Sequence, residues 1–264
     1  MGVTRAPGGL IIDMDGVLYI GDRPRPGLGE FFDVASERPF VLVTNNSLVT
    51  AEACAAKLAA MGVTVPAASI LTVSDATGRH LSREYPAGTL VQVLGSAALR
   101  SAIASAGMKL VPADGEVVVA GLDSSLDYAS LAAAVRAVRA GAGFVATSLD
   151  PVLLTEVGVL PGAGAIVAAI GACTGAEPVC VGKPSPAMFL AAAGLAGVPV
   201  ERLLVIGDSP GSDIAGGAGA GAMTALVPSP LTGDSARSRA APDLVFSGLA
   251  ELSGFLASAW GELR

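Results

Sequence analysis

The stretch GLIIDMDGVLY (residues 9–19) gives the first indication of the fold. An apolar run, GLII, leads directly into Asp13, Met14, Asp15 and Gly16. Unbroken Leu and Ile character is typical of a strand covered on both faces, as in a parallel sheet. In open α/β sheets, ligands bind just outside the carboxyl ends of the strands. We therefore expect Asp13 and Asp15 to lie at a ligand site on the edge of such a sheet.

Apolar runs of the same kind recur along the chain and alternate with helical patterns. The Ala-rich segment 51–62 and the segment 125–141, which ends in Arg136, Arg139 and Gly141, have helical character. Strands alternating with helices predict an α/β fold with a largely parallel sheet. The further predicted strands cover residues 40–45, 90–95, 117–121, 144–148 and 203–208.

The composition excludes several classes of protein. The chain has 264 residues, of which 52% are hydrophobic and 15% charged, and its net charge is −7. A disordered chain combines low hydrophobicity with high net charge, so this composition predicts a folded protein. An acidic balance with 4% aromatic residues argues against a nucleic-acid partner, because such binding depends on Lys, Arg and stacking platforms.

Three long uncharged stretches raise the question of a membrane span, at residues 157–176, 184–200 and 214–233. They are rich in Ala and Gly and contain proline, whereas a spanning helix is about 20 predominantly apolar residues long. We expect buried helices and strands of a soluble protein, and no membrane partner. The first residues show no apolar signal-peptide core, and the three cysteines form no CxxC pair. Cytoplasmic localisation is the resulting expectation.

Polar residues lie at the ends of two more of the predicted strands. Thr44, Asn45 and Asn46 lie at the end of one of them, and Asp208 follows Gly207 at the end of another. If these strands neighbour the first, several carboxylates meet at one sheet edge, where they repel one another unless a cation neutralises them. A small site with hard oxygen ligands suits Mg²⁺.

Four segments resemble, in order, the signature motifs of haloacid dehalogenase (HAD) superfamily phosphatases. They are DMDGVLY (13–19), VTNNS (43–47), GKPSPAMF (182–189) and GDSPGSDIAGGAGAGAMTALV (207–227). The segment 144–175 is similar to the cap of the 4-nitrophenylphosphatase-like branch. The resemblance implies a Rossmann-like parallel-sheet core with a separate α/β cap domain.

The spacing of these motifs indicates where the cap is inserted. The 29 positions from Asp15 to Thr44 are too few for a domain, whereas the 139 positions from Thr44 to Lys183 hold one. We expect a discontinuous core of residues 1–77 and 177–264 and an α/β cap of residues 78–176.

The resemblance also implies a mechanism. Asp13 would be the nucleophile and form an aspartyl-phosphate, while Asp15 would act as general acid and then general base. Mg²⁺ would be held by the carboxylate of Asp13, the backbone carbonyl of Asp15 and Asp208. Without the other motifs, a turn at the end of a strand would explain Asp13 and Asp15 equally well.

Further residues are expected around the phosphoryl group. Thr44, Asn45, Asn46 and Lys183 would bind its oxygens or balance its charge. For Lys183 alone, a surface lysine at a helix start would be the simpler explanation. Asp213 would support the metal site, although it has the alternative role of capping a helix that starts near Ile214.

The cap segment Ser148–Glu156 departs from the usual pattern of the branch. We expect it to face the organic part of the substrate, with Ser148 and Asp150 as specificity residues. A simple Asp-Pro turn at residues 150–151 is an equally good explanation.

The favoured function is a Mg²⁺-dependent phosphatase for small organic phosphomonoesters. Other HAD chemistry, by a phosphomutase or a dehalogenase, and a non-catalytic phosphometabolite-binding protein are the alternatives. The expected partner is a small-molecule phosphate ester. A homodimer formed through the cap is also considered, since the branch has such dimers.

Overall fold

The computed structural model describes residues 6–155, 158–230 and 240–261. Its strands are β1 (Gly9–Asp13), β2 (Tyr19–Ile20), β3 (Arg23–Pro24), β4 (Phe40–Thr44), β5 (Ile70–Thr72), β6 (Leu90–Leu94), β7 (Lys109–Val111), β8 (Val117–Ala120), β9 (Gly143–Ala146), β10 (Val152–Thr155), β11 (Gly158–Pro161), β12 (Val179–Cys180), β13 (Leu203–Gly207), β14 (Met223–Leu226) and β15 (Leu244–Val245). Its helices are α1 (Leu28–Ala35), α2 (Ala51–Ala60), α3 (Val73–Glu84), α4 (Ala97–Ser105), α5 (Tyr128–Arg139), α6 (Ala163–Thr174), α7 (Pro186–Ala196), α8 (Ala215–Gly219) and α9 (Leu249–Gly261).

The chain forms two compact units. Of the described residues, those within Met1–Thr44, Ala51–Leu71 and Lys183–Arg264 make up the first unit, and those within Asn45–Thr50 and Thr72–Gly182 the second. The domain assignment from the sequence, with a core of 1–77 and 177–264 and a cap of 78–176, stays a prediction.

The first unit is built on a six-stranded sheet of order β15-β14-β13-β1-β4-β5. β1 pairs in parallel with β13 on one side and β4 on the other, so that Ile12 lies opposite Ile206 and Leu42. When only the strands of this sheet are numbered along the chain, their spatial order is 6-5-4-1-2-3, the doubly wound Rossmann order. The predicted α/β, Rossmann-like fold is confirmed. The strands after β1 are added on one side of it and the strands from β13 onward on the other. The strand order therefore reverses between β1 and β13, and such sheets bind ligands at this point.

The core of the first unit lies along these central strands. All five residues of β1 and all five of β13 are buried. Large buried side chains from the helices complete the core, with Phe31 from α1, Phe189 from α7 and Trp260 from α9. Trp260 is 1% exposed, and its indole Nε1 donates a hydrogen bond to the Pro7 carbonyl at 2.9 Å. Apolar burial of this kind supplies most of the free energy that stabilises a fold.

The second unit has its own parallel sheet, of order β12-β9-β8-β6-β7. Its buried core brings together Leu94, Val118, Phe144, Ile166 and Ile170. An antiparallel hairpin, β10–β11, forms a separate two-stranded sheet in this unit.

Each strand predicted from an apolar run is present in the structure, with ends that differ by at most two residues. The short hairpins β2–β3 and β10–β11 were not predicted. Two-residue strands are too short for a hydrophobic period, and the residues of β10 and β11 carry no alternation of apolar and polar side chains. Within the part of the chain that the structure describes, no helix has both the length and the apolar character needed to cross a bilayer.

Candidate active site

The acidic loop, which we define as residues 13–19, begins at the carboxyl end of β1, beside β13, where the strand order reverses. Asp13 is the last residue of β1, and its side chain is buried. Gly16 has a φ of 91°, and its amide donates to the Tyr19 carbonyl at 2.8 Å. A Cβ at Gly16 would collide with the carboxylate of Asp208. Only glycine combines the left-handed backbone with this close approach of the loop to the residue that follows β13.

Lys183 is the cation of the site. Its Nζ donates hydrogen bonds to Asp13 Oδ1 at 2.5 Å and to Asp213 Oδ1 at 2.7 Å. The side chain of Lys183 is 4% exposed, and both carboxylates are buried with it. A buried lysine costs several kcal/mol to desolvate unless it is paired, so this double ion pair is the reason it is tolerated there. The surface-lysine explanation is wrong for this residue.

Asp213 reaches the site through a π-helical turn, Pro210–Ile214, that follows β13. Its Oδ2 accepts a hydrogen bond from the backbone amide of Ser209 at 3.1 Å. A Cβ at Gly207 would collide with the Asp213 side chain, so glycine at the end of β13 leaves room for it. The alternative that Asp213 caps the following helix is wrong, because α8 has no side-chain cap at its start.

Asp13, Asp208 and Asp213 form a buried acidic cluster. One carboxylate oxygen from each lies within 4.8 Å of the others. Burial raises the pKa of Asp13 well above its usual value, the charge of Lys183 opposes this rise, and Asp213 and Asp208 add to it. Burial alone would lower the pKa of Lys183, but the charges of Asp13 and Asp213 outweigh it and raise the pKa. One ammonium facing three carboxylates leaves excess negative charge, and these hard oxygen donors fit a divalent cation such as Mg²⁺.

Asp15 is more exposed than the cluster. Its Oδ2 accepts a hydrogen bond from Thr44 Oγ1 at 3.4 Å, so β1 and β4 bring these two predicted residues together. Removal of water around the carboxyl raises the pKa of Asp15, against the opposing charges of Lys57 and Lys183 and the Thr44 bond. A carboxyl with a raised pKa is suited to donate a proton near neutral pH.

Sequence reasoning missed two basic residues of the first unit that contact this region. The ammonium of Lys57 lies 4.3 Å from the centroid of the Tyr19 ring and 3.3 Å from Asp22 Oδ1. Arg25 donates hydrogen bonds to backbone carbonyls, one of which is that of Gly16. No motif or period marks these positions, because both contacts depend on where the β2–β3 hairpin folds.

Asn45 and Asn46 belong to the second unit. The side-chain oxygen of Asn46 accepts a hydrogen bond from the Leu48 amide at 2.9 Å, which forms a local turn. The Ser47 carbonyl that follows accepts hydrogen bonds from the hydroxyls of Ser74 and Ser96. Phosphate binding by Asn45 and Asn46 stays a prediction.

Ser148 and Asp150 also lie in the second unit, directly after β9. The Ser148 hydroxyl donates to Asp150 Oδ2 at 2.9 Å and accepts from the Asp150 amide at 3.0 Å. The Asp150 carbonyl accepts from the Gly164 amide at 2.9 Å, which ties the loop to α6. The two bonds between Ser148 and Asp150 form a turn at residues 148–150, just before the Asp-Pro position, and Asp150 is exposed. Their role in specificity stays a prediction, and Glu156, the last residue of this segment, lies outside the described residues.

Comparison with known proteins places this site in a family. A haloacid dehalogenase-like hydrolase model matches residues 10–109, and a HAD-hydrolase-like model matches residues 180–252. The 5'-nucleotidase YutF of Bacillus subtilis is 33% identical over 226 residues, which cover 85% of this chain and 88% of that protein. The chain belongs to the haloacid dehalogenase-like hydrolases. A second HAD relative, the dihydroxyacetone phosphatase of Corynebacterium glutamicum, is 34% identical over 85% of this chain and 82% of its own length.

Solved structures of HAD phosphatases agree with the fold. The p-nitrophenyl phosphatase from Archaeoglobus fulgidus has a TM-score of 0.88 at 31% identity, covering 95% of this chain and 99% of that one. The glycerol phosphate phosphatase from Mycobacterium tuberculosis, solved with magnesium, has a TM-score of 0.87 at 31% identity, covering 94% of this chain and 77% of that one. The protein is therefore a phosphatase of the 4-nitrophenylphosphatase branch, as the motifs predicted.

Proposed function

We propose that this phosphatase hydrolyses small organic phosphomonoesters with Mg²⁺ as cofactor, through an aspartyl-phosphate at Asp13. The observation that carries the proposal is the buried ion pair of Asp13 with Lys183, with Asp15 two residues further along the same loop. The ammonium of Lys183 orients this carboxylate at the end of a central strand and favours its ionised form against the effect of burial. An oriented, ionised carboxylate is what nucleophilic attack on phosphorus requires.

The donor set supports a divalent metal. The carboxylate of Asp13, the backbone carbonyl of Asp15 and the carboxylate of Asp208 would hold Mg²⁺, and Asp213 would support the site through its bond to Lys183. Bound Mg²⁺ supplies positive charge beside the phosphoryl oxygens and the attacking carboxylate. The excess negative charge of the acidic cluster supports this assignment.

The protein's own residues account for the proton and electron balance. A carboxylate oxygen of Asp13 forms a bond to phosphorus as the bond from phosphorus to the ester oxygen breaks. Asp15 gives its proton to the departing alkoxide, which leaves as an alcohol. Water then attacks the phosphorus of the aspartyl-phosphate, Asp15 accepts its proton, and phosphate departs with Asp13 restored. Lys183 stays protonated throughout and balances charge on the phosphoryl group.

The substrate class rests on the relatives and the cap. The similar proteins include a dihydroxyacetone phosphatase, an acid sugar phosphatase and a glycerol phosphate phosphatase. These names point to small hydroxylated phosphomonoesters, and we propose the same class here, with phosphoglycolate and 4-nitrophenyl phosphate as further candidates. In this proposal Thr44, Asn45, Asn46 and Lys183 bind the phosphoryl group, while Ser148 and Asp150 contact the leaving group.

Phosphate release from 4-nitrophenyl phosphate tests the proposal. Asp13→Asn keeps the shape of the side chain but removes the nucleophile, so turnover should be lost with the fold intact. Asp33→Asn, an exposed position on α1, is the matched control and should retain wild-type activity. Substantial turnover by a folded Asp13→Asn protein would rule out Asp13 as the nucleophile.

A homodimer formed through the second unit is also proposed. The exposed apolar side chains of Val152, Val159 and Leu160 on the β10–β11 hairpin support it. Light scattering of the wild type and of Val159→Asp measures it, and a wild-type protein of monomer mass would contradict it. Cytoplasmic localisation stays a prediction.

A further inference from the structure

Arg25 joins two loops at the carboxyl edge of the first sheet. Its Nη1 donates a hydrogen bond to the Gly16 carbonyl at 3.1 Å, and its Nη2 donates one to the Pro228 carbonyl at 3.2 Å. The two acceptors lie 9 and 203 residues away in the sequence. Hydrogen bonds from a charged donor are stronger than neutral ones, and a planar guanidinium holds both acceptors at a fixed separation.

The two segments that carry these acceptors approach each other near the carboxylate that follows β13. Gly16 is so close to Asp208 that a Cβ would collide with its carboxylate, and the same Cβ would lie 3.0 Å from Ser229 Oγ. Ser229 directly follows Pro228 in the chain. Asp208 therefore sits where the two segments held by Arg25 approach each other.

Backbone hydrogen bonds also hold Arg25 to the acidic loop and the segment before Pro228 to β13. The backbone amide of Arg25 donates to the Leu18 carbonyl at 2.9 Å, so Arg25 is anchored to the acidic loop by main chain and side chain. The Val227 amide donates to the Gly207 carbonyl at 2.9 Å, which ties the segment before Pro228 to the residue before Asp208. The guanidinium of Arg25 closes a ring of contacts between the acidic loop and Asp208.

We propose that Arg25 is a positioning residue that sets the distance between the acidic loop and Asp208, and thereby the geometry of the Mg²⁺ site. The inference rests on the proposed function, because it takes Asp13, Asp15 and Asp208 as the metal ligands. Mg²⁺ requires near-octahedral coordination at about 2.0–2.1 Å, so a small change in loop spacing weakens its binding. Arg25 acts through Gly16 and the segment at Pro228.

A merely structural role would give a different result. If Arg25 only fastens the loops, its loss lowers the unfolding temperature and leaves the affinity for Mg²⁺ unchanged. If it positions the metal ligands, its loss weakens Mg²⁺ binding in protein that is still folded.

The experiment measures the unfolding temperature of the full chain against MgCl₂ concentration. A ligand that binds the folded state raises this temperature according to its dissociation constant, so the titration yields that constant without turnover. We expect Arg25→Met to weaken Mg²⁺ binding about 10-fold, the lower end of the range for residues that orient metal ligands. The Mg²⁺ concentration for half-maximal hydrolysis of 4-nitrophenyl phosphate should rise in parallel, and high Mg²⁺ should restore most of the activity.

Arg23→Met is the matched control, because Arg23 lies two residues before Arg25, on β3, and is exposed. It should leave both Mg²⁺ dependences unchanged. Arg25→Lys keeps the charge but replaces the planar fork by one ammonium, so it should weaken Mg²⁺ binding to a smaller degree. This variant decides the question if Arg25→Met does not fold.

Wild-type affinity for Mg²⁺ in folded Arg25→Met, or in Arg25→Lys if only that variant folds, would overturn the proposal. A wild-type protein that binds Mg²⁺ but hydrolyses no ester would instead contradict the proposed function. In that case the thermal titration would still show whether Arg25 affects the affinity for Mg²⁺.

Discussion

Replacement of Lys183 by methionine tests the electrostatics of the acidic cluster. Methionine is similar in length to lysine and apolar, so Lys183→Met removes the charge without opening a large cavity. Asp13 and Asp213 then lose their shared partner at 2.5 and 2.7 Å and remain buried beside Asp208. We expect the first unit to become much less stable when metal is absent.

The size of the effect follows from the burial of the pair. Removing one partner of a buried ion pair destabilises a protein by about 3–5 kcal/mol, because the other charge is left uncompensated. Lys183 is 4% exposed and Asp213 1%, so solvent screens the pair very little. For a chain of this size, 1 kcal/mol changes the unfolding temperature by about 2–4 °C. The expected decrease is therefore roughly 6–20 °C.

Tryptophan fluorescence measures this change in the relevant unit. Trp260 is the single tryptophan of the chain and is buried in the first unit. Thermal unfolding is followed in EDTA, so that a bound cation does not replace the missing ammonium. Lys109→Met, at an exposed position in β7 of the second unit, makes the same change in net charge and should leave the transition unchanged.

A second variant checks the cause of the loss. Asp213→Asn in the Lys183→Met background removes one of the carboxylates that lost its partner. It should recover part of the stability, because the effects of substitutions at two residues in contact are not additive. A Trp260 transition in Lys183→Met that is no lower than in Lys109→Met would refute the account of the cluster.

Three further predictions concern the acidic loop, the metal and the turn after β9. Gly16→Ala should lower kcat/KM by about 10- to 100-fold in steady-state assays, because the added Cβ would displace Asp208. Wild-type activity of this variant would show that the loop tolerates a side chain. MgCl₂ should raise the temperature of the Trp260 transition, and a transition indifferent to MgCl₂ would argue against a metal site in the first unit. Asp150→Ala should reduce kcat/KM strongly for the preferred metabolite but little for 4-nitrophenyl phosphate; equal loss for both substrates, or none for either, would leave only the turn with Ser148.

Much of the fold could be predicted because the central strands are continuous apolar runs. The run at residues 9–13 became β1 with the same bounds, and the run at 203–208 became β13, Leu203–Gly207. Strands buried on both faces carry this signal in their own residues. Short edge elements such as β15 (Leu244–Val245) do not, because their position is set by pairing with β14 rather than by local pattern.

The site was partly predictable for the same reason. Asp13 ends β1, and Asp15 and Asp208 lie just after β1 and β13, so their meeting at one sheet edge follows from the strand order. The position of the Asp213 side chain depends on a π-helical turn, and no periodicity in the sequence predicts such a turn. Arg25 reaches a carbonyl 203 residues away, a contact that only the folded chain reveals.

Rapid-quench mass spectrometry of Asp15→Asn tests the central claim most directly. With 4-nitrophenyl phosphate and Mg²⁺, the good leaving group departs without a proton donor, whereas hydrolysis of the intermediate slows because Asp15 no longer accepts a proton from water. The account predicts that the peptide containing Asp13 gains the mass of one phosphoryl group within a single turnover, and that fragmentation locates it on Asp13. Phosphate release with no phosphorylated peptide at any quench time, or with the phosphoryl group on another residue, would contradict it.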